Sequence, residues 1–293
     1  MKPAPFAYYV PESIEQAVQL LHDHGGESKL LAGGQSLVPA MNFRVVQPSA
    51  LIDLNRVKEL DYIHEDGKVL RIGAMTRERT LEFSPLIASW FPLLMEAMPH
   101  VAHPQIRNRG TLGGSLANAD PAAELPVIML ALGARLKAFS IRGERWVEAP
   151  NFFSGMFTTD LAPDEMLVEI ELPATPARTG WSFMEVAPRA GDYALMGVAV
   201  LATLGENGVC KGARLVYLNA GDGPVDAKEA AKILKGEMPG ANVIEAAADS
   251  ASQREINPFG NIHASSDFQR HLARVLTRKA VEQAFDRAGA NDS

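Results

Sequence analysis

Two short segments pair glycines with hydroxyls in a way suited to an anion: Ala32-Gly33-Gly34-Gln35-Ser36 and Thr111-Leu112-Gly113-Gly114-Ser115. Adjacent glycines remove Cβ atoms where a backbone must pass close to a ligand, and they permit positive φ, so that successive N–H groups can converge on one anion. Ser36, Thr111 and Ser115 add hydroxyls. Either segment alone also reads as an ordinary tight turn. As a pair, reached from loops, they would clasp a diphosphate from two sides without a helix-borne dinucleotide fingerprint. Asn118, Asp120 and Glu124 follow the second segment, and a carboxylate beside a nucleotide site accepts hydrogen bonds from ribose hydroxyls or an adenine amine. Plainer roles are compatible with this: Asp120 opening a turn before Pro121, and Glu124 favouring the next helix through its dipole.

Other motifs carry less chemistry. Gly221-Asp222-Gly223-Pro224-Val225-Asp226 has the outline of a dinucleotide fingerprint, but Asp226 replaces its third glycine and would crowd the helix and repel a pyrophosphate. It reads better as a connection from sheet to helix. His22/His24 and His100/His103 lack a third ligand at metal-binding spacing, so no metal site is expected. No nucleophile elbow or Ser-His-Asp arrangement is present, and no catalytic residue is assigned. Arg189-Ala190-Gly191-Asp192-Tyr193-Ala194 falls between two strand-like runs; it is either a bare hairpin or an aromatic tip able to cover a planar ring.

Composition excludes further classes. Of 293 residues, 47% are hydrophobic, 28 are basic and 35 acidic, for a net charge of −7, and one is cysteine. Cys210 alone holds no internal disulfide and no iron–sulfur cluster, and it fits a reducing cytoplasm. An acidic balance without a basic block gives no footprint for nucleic acid. Neither a secretion signal nor a membrane span is expected.

The elements that must position the glycine segments follow from periodicity and breakers. Ser13 and Gln16 form a capping box for a helix to His24, stopped by Gly25. Short strands are read at Lys29–Ala32, Leu51–Leu54 and Val69–Gly73. A helix starting at Thr76 or Arg77 is interrupted at Pro85 and resumes to Met98, and Pro99 ends it. Residues 99–124 read as a long loop, followed by a helix Glu124–Leu132 and strands Arg135–Ser140, Gly143–Val147 and Met166–Leu172. Pro173 to Gly180 is the linker candidate. Beyond it, strands at Trp181–Val186, Leu195–Leu204 and Ala213–Leu218 precede helices at Ala227–Leu234, Ala241–Ala251 and Ser266–Ala288. That order indicates an α+β domain with an antiparallel sheet packed on one side by helices.

LAGGQSLVPAM (31–41), HPQIRNRGTLGGSLANADPAAELP (103–126) and RAGDYAL (189–195) resemble the FAD-binding medium subunit of molybdenum hydroxylases, a group that includes the carbon monoxide dehydrogenase medium subunit and the flavin domain of xanthine dehydrogenase. The resemblance covers essentially the whole chain. It implies a p-cresol methylhydroxylase-type FAD-binding domain over 1–175, in two lobes at about 1–57 and 58–175, and a smaller α+β domain over 176–293.

Carried over by residue, the resemblance implies that Ala32, Gly33, Gly34, Gln35 and Ser36, with Thr111, Leu112, Gly113, Gly114 and Ser115, hold the FAD diphosphate through N–H groups and hydroxyls. Asn118, Asp120 and Glu124 would serve the nucleotide half, Leu167 would pack near the flavin, and Tyr193 would lie against the isoalloxazine face. Gln35 offers no imidazole, so the FAD is expected to be non-covalent. Phe183-Met184-Glu185 stands where xanthine dehydrogenases carry a lysine, which argues against NAD reduction.

The function implied is an electron-exit subunit. An iron–sulfur small subunit would reduce it, a molybdopterin-binding large subunit would oxidise the substrate, and an external acceptor would take the electrons. The alternatives are a free-standing FAD oxidoreductase of the same fold and a non-catalytic nucleotide-binding or assembly protein.

Overall fold

A computed structural model describes residues 1–290; residues 291–293, the end of the expected second domain, lie outside the described residues. The first lobe comprises β1 (Ala7–Tyr9), α1 (Ile14–His24), β2 (Ser28–Leu31), α2 (Leu37–Asn42) and β3 (Ala50–Asp53). Its three strands form a parallel sheet in the order β1-β3-β2. Ser13 caps α1 by accepting from Gln16 N–H, as its sequence position requires. The Gln16 side chain closes the turn one residue further out than a capping box does, accepting from Glu12 N–H at 3.0 Å.

The second lobe begins with β4 (Ile63–Asp66) and β5 (Val69–Gly73) and continues through α3 (Glu78–Phe83), α4 (Pro85–Trp90), α5 (Pro92–Ala97), α6 (Pro104–Arg107), α7 (Leu112–Asn118) and α8 (Glu124–Leu132). β6 (Arg135–Ser140), β7 (Gly143–Glu148), α9 (Ala149–Phe152), β8 (Phe153–Gly155), β9 (Thr158–Thr159) and β10 (Met166–Pro173) complete it. An antiparallel sheet in the order β4-β5-β10-β6-β7 organises this lobe. Every residue of α8 is buried, which is why it reads as a continuous apolar run.

The expected helix, interrupted at Pro85 and resuming to Met98, is three short ones, with a further break at Pro92. Pro85 and Pro92 each start a new turn after extended or irregular residues, Ser84 and Phe91. The expected long loop over 99–124 is also corrected, because it contains α6 and α7. The glycine pair lowers helix propensity by about 1 kcal/mol per residue and hides the period. Tertiary burial supplies the compensation: Leu112 and Leu116, one turn apart, are both fully buried.

Beyond the linker, β11 (Thr179–Val186), β12 (Met196–Leu204), β13 (Cys210–Leu218) and β14 (Val225–Asp226) form an antiparallel sheet. α10 (Lys228–Leu234), α11 (Ala241–Ser250) and α12 (Ser266–Ala290) cover one face. The other face is not free. Phe183, Ala199, Val216 and Leu218 join the core that includes Leu94 of α5 and Ile128 and Leu132 of α8, so the sheet is shared between the C-terminal helices and the second lobe. A smaller core ties the lobes together, with Val18 and Leu21 of α1 and Ile52 of β3 meeting Met75, Met166 and Val168.

Candidate cofactor site

The fold brings the two glycine segments into contact. A Cβ on Gly33 would meet the Arg109 carbonyl oxygen, with Gly110 Cα at 2.7 Å and Arg109 C at 2.9 Å. A Cβ on Gly114 would stand 3.3 Å from the Ala32 Cβ and 2.7 Å from Thr111 Oγ1. Gly113 lies against Ala74, with the Ala74 carbonyl oxygen 2.7 Å from where its Cβ would be. Glycine at these three positions therefore allows α7, the Arg109–Gly110 turn and the Ala32–Ser36 loop to pack backbone to backbone. Gly34 has a second reason, a φ of +73°.

Polar side chains clamp the same seam. Asn55 Nδ2 donates to the Ala32 carbonyl at 3.1 Å, and the Arg77 guanidinium donates both to Asn55 Oδ1 and to the Arg109 carbonyl. Gln35 folds back, its Nε2 donating to the Gly33 carbonyl at 3.0 Å.

Donor accounting separates the two segments. In the second, Leu112 N–H donates to Thr76 O, Gly113 N–H to Ala74 O, Gly114 N–H to Thr111 Oγ1 and Ser115 N–H to Thr111 O. This segment opens a helix that Thr111 caps, and these N–H groups have acceptors within the chain. In the first, among the described residues, the N–H groups of Gly33, Gly34, Gln35 and Ser36 have no protein acceptor. Ser36 precedes α2 without capping it, which leaves its hydroxyl available. Four successive donors without acceptors, three half-exposed and that of Ser36 in an exposed residue, are what an anion would satisfy. Two guanidiniums add positive charge: burial, then the charge of neighbouring Arg109, holds the Arg77 pKa below its usual value.

Of the residues expected at the nucleotide half and at the flavin, Asp120, Glu124 and Tyr193 lie near one another. Asp120 accepts from Ala122 N–H at 3.0 Å, the turn its plain reading required, and burial raises its pKa. Glu124, the first residue of α8, is 7% exposed. Burial first, and then the Glu185 carboxylate, push its carboxyl up to about 8. Tyr193, in the loop between β11 and β12, is 71% exposed. Burial of its phenol first, and then the charges of Asp120 and Glu124, raise its pKa. Asp120 and Glu124 thus lie near enough to the Tyr193 phenol for their charges to act on it. His103 holds the Tyr193 loop, its ring Cε1 2.5 Å from where a Gly191 Cβ would stand.

Asn118 ends α7 half-buried. Leu167 is buried in the core of the second lobe, one residue before Val168, whose carbonyl accepts from Ala74 N–H beneath Gly113. Gly221 to Pro224 turn from β13 into β14, far in sequence and sheet from the glycine seam. Asn55, Arg77, Glu78 and Arg109 were not singled out from sequence. Single polar residues in turns carry no periodic signal, and only the crowding of glycines at 110–114 pointed to their neighbourhood.

A loop of four free N–H donors beside Arg77 and Arg109, a pattern suited to an anion, thus sits in a two-lobed scaffold with an appended α+β domain. The family described as the FAD binding domain in molybdopterin dehydrogenase matches residues 4–175, and that described as the CO dehydrogenase flavoprotein C-terminal domain matches residues 181–284. The 6-hydroxypseudooxynicotine dehydrogenase complex subunit alpha of Paenarthrobacter nicotinovorans is 42% identical over 98% of this chain and 97% of its own length. The carbon monoxide dehydrogenase medium chain of Hydrogenophaga pseudoflava is 36% identical over 98% of this chain and 99% of its own. A solved carbon monoxide dehydrogenase from Hydrogenophaga pseudoflava superposes with a TM-score of 0.95 at 37% identity, covering 98% of this chain and 99% of that one. Quinoline 2-oxidoreductase from Pseudomonas putida 86 superposes at 0.93 with 37% identity and the same coverage. The chain belongs to the family of FAD-binding medium subunits of molybdenum hydroxylases.

Proposed function

We propose that this chain is the electron-exit subunit of a cytoplasmic, hetero-oligomeric molybdenum hydroxylase. It would receive electrons from iron–sulfur clusters on a small partner subunit and deliver them to an external acceptor, while a molybdopterin-bearing large subunit oxidises the substrate. Bound FAD supplies the exchange between one-electron donors and two-electron acceptors. The chain's own residues bind and orient. Gly33 to Ser36 offer N–H groups to the diphosphate, Arg77 and Arg109 balance its charge, Asn118, Asp120 and Glu124 serve the nucleotide half, and Tyr193 lies against the flavin. No side chain here is assigned a covalent role, in keeping with non-covalent FAD.

The observation that carries this reading is the row of four acceptor-less N–H groups held against α7 by Arg77 and Asn55. The division at residue 175, with lobes meeting near residue 57, is supported by the separate sheets on either side of each boundary. Among the described residues no helix is long and apolar enough to cross a membrane. The single cysteine supports placing the clusters on another chain.

Purification from the native host tests the proposal. A yellow protein that copurifies with cluster-bearing and molybdenum-bearing chains, and is bleached by substrate only in their presence, is the expected result. A flavoprotein that turns over an organic substrate alone would refute the subunit role.

A further inference from the structure

The first residue of α3, Glu78, is 5% exposed, and its Oε2 has no hydrogen-bond partner. Its carboxyl lies against Gly110, where a Cβ would be 2.5 Å from Glu78 Cδ and 2.7 Å from Oε1. Gly110 in turn lies against Gly33. A buried, unpaired carboxyl therefore sits directly behind the loop that presents four free N–H groups to an anion.

The charged groups around it are occupied elsewhere. On α6, Arg107 makes a bidentate pair with Glu82 at 2.9–3.0 Å and donates to the Val101 and Ala102 carbonyls. On Glu78's own element, Arg77 is spent on Asn55 and the Arg109 carbonyl. From α8, the Glu124 carboxyl faces it as well. Burial, only partly offset by Arg107 and Arg77, pushes the Glu78 carboxyl up to about 7. An anion seated on the Gly33 loop adds negative charge beside a carboxyl whose Oε2 has no partner, and a buried carboxylate next to it is driven to the neutral form.

We propose that seating the FAD diphosphate on the Gly33–Ser36 loop draws one proton from solvent onto Glu78, so that this carboxyl, neutral in the loaded protein, sets the affinity for the anionic cofactor. The inference rests on the cofactor assignment made above. By linkage, affinity is full where Glu78 is already protonated in the free chain, and it falls as pH rises through the free-chain value.

The test is FAD binding to the cofactor-free full-length chain, followed by flavin fluorescence, with calorimetry in two buffers of different ionisation enthalpy to count protons. For the wild type, Kd should rise about tenfold between about pH 6.5 and 8.5, with most of one proton taken up per FAD at the upper end. In Glu78→Gln the dependence should be flat and the affinity close to the low-pH value. The proton count on the wild type stands even if the variant folds poorly. Binding without proton uptake would overturn the inference, as would a dependence that persists in Glu78→Gln and disappears in Glu124→Gln. A chain that binds no FAD at any pH would instead overturn the cofactor assignment.

Discussion

Replacing Gly33 by alanine should separate the cofactor cradle from the rest of the fold. The new Cβ would face backbone on every side: the Arg109 carbonyl oxygen, Gly110 Cα at 2.7 Å and Arg109 C at 2.9 Å. None of these is a flexible side chain that can rotate away. Ordinary van der Waals contact begins near 3.4 Å, so the two segments must part by roughly 0.7 Å at the Gly110 contact. That shift moves the N–H groups of Gly33 to Ser36 relative to Arg77 and Arg109. Hydrogen bonds to a charged group are worth about 1.5–3 kcal/mol each. Losing two would weaken FAD binding by ~3–6 kcal/mol, or about 10²–10⁴-fold in Kd. Gly26→Ala is the matched control in the same lobe, because nothing lies within 4 Å of its Cβ position. The assay is flavin content after gel filtration together with Kd by fluorescence quenching. A folded Gly33→Ala protein that retains stoichiometric FAD, with Kd within about threefold of wild type, would refute the placement of the cradle.

Arg77→Ala removes the donors that tie Asn55 and the Arg109 carbonyl together. At about 0.5–1.5 kcal/mol per bond, FAD affinity should fall roughly tenfold in an equilibrium titration, and Arg77→Lys should not restore it because one ammonium cannot fork to both acceptors. Gly180→Ala acts elsewhere: its Cβ would press on the Ala284 carbonyl and stand 2.5 Å from Ala288 N of α12. Urea unfolding should show a loss of about 2 kcal/mol or more, while FAD affinity under native conditions stays near wild type. For Glu124, the folded pKa of about 8 lies above the ordinary 4.5, so the folded chain holds the extra proton and stability falls as pH rises between those values. Glu124→Gln should match wild type near pH 4 and exceed it by on the order of a few kcal/mol near pH 9, measured by denaturant midpoints. Equal pH dependence in both proteins would show that this carboxyl is not the group titrating.

Elements whose partners lie close in sequence were legible. Ser13 with Gln16 marked α1, the unbroken apolar run from Leu125 marked α8, and alternation marked β6, where the burial of Arg135 to Ser140 itself alternates. The glycine segments were also legible as chemistry, because Gly-Gly beside a hydroxyl limits what the backbone can do. What could not be read was that the second of them opens a helix. Thr111 to Ser115 looks like a loop because glycine weakens the helical signal, and only the burial of Leu112 and Leu116 against other parts of the chain makes it α7. β1, β4, β8, β9 and β14 went unread because strands of two to four residues are defined by the neighbour they pair with, not by their own pattern. Arg77 and Asn55 matter only because folding brings residues 32 and 109 together.

The two groups of residues expected to meet the cofactor differ in electrical character. At the glycine end the chain offers free N–H groups and two guanidiniums, and it keeps Glu78 behind them where a proton can neutralise it. At the Tyr193 end it gathers Asp120 and Glu124, both raised in pKa by burial, and burial raises the phenol of Tyr193 as well. A pair of ionised carboxylates there would repel any anion, whereas a neutral Glu124 is a hydrogen-bond donor. A diphosphate is always charged, so on the cofactor assignment proposed above it would sit against the free N–H groups of Gly33 to Ser36 and away from the Asp120 and Glu124 carboxyls; phosphates seated beside Glu124 would leave those N–H groups without acceptors.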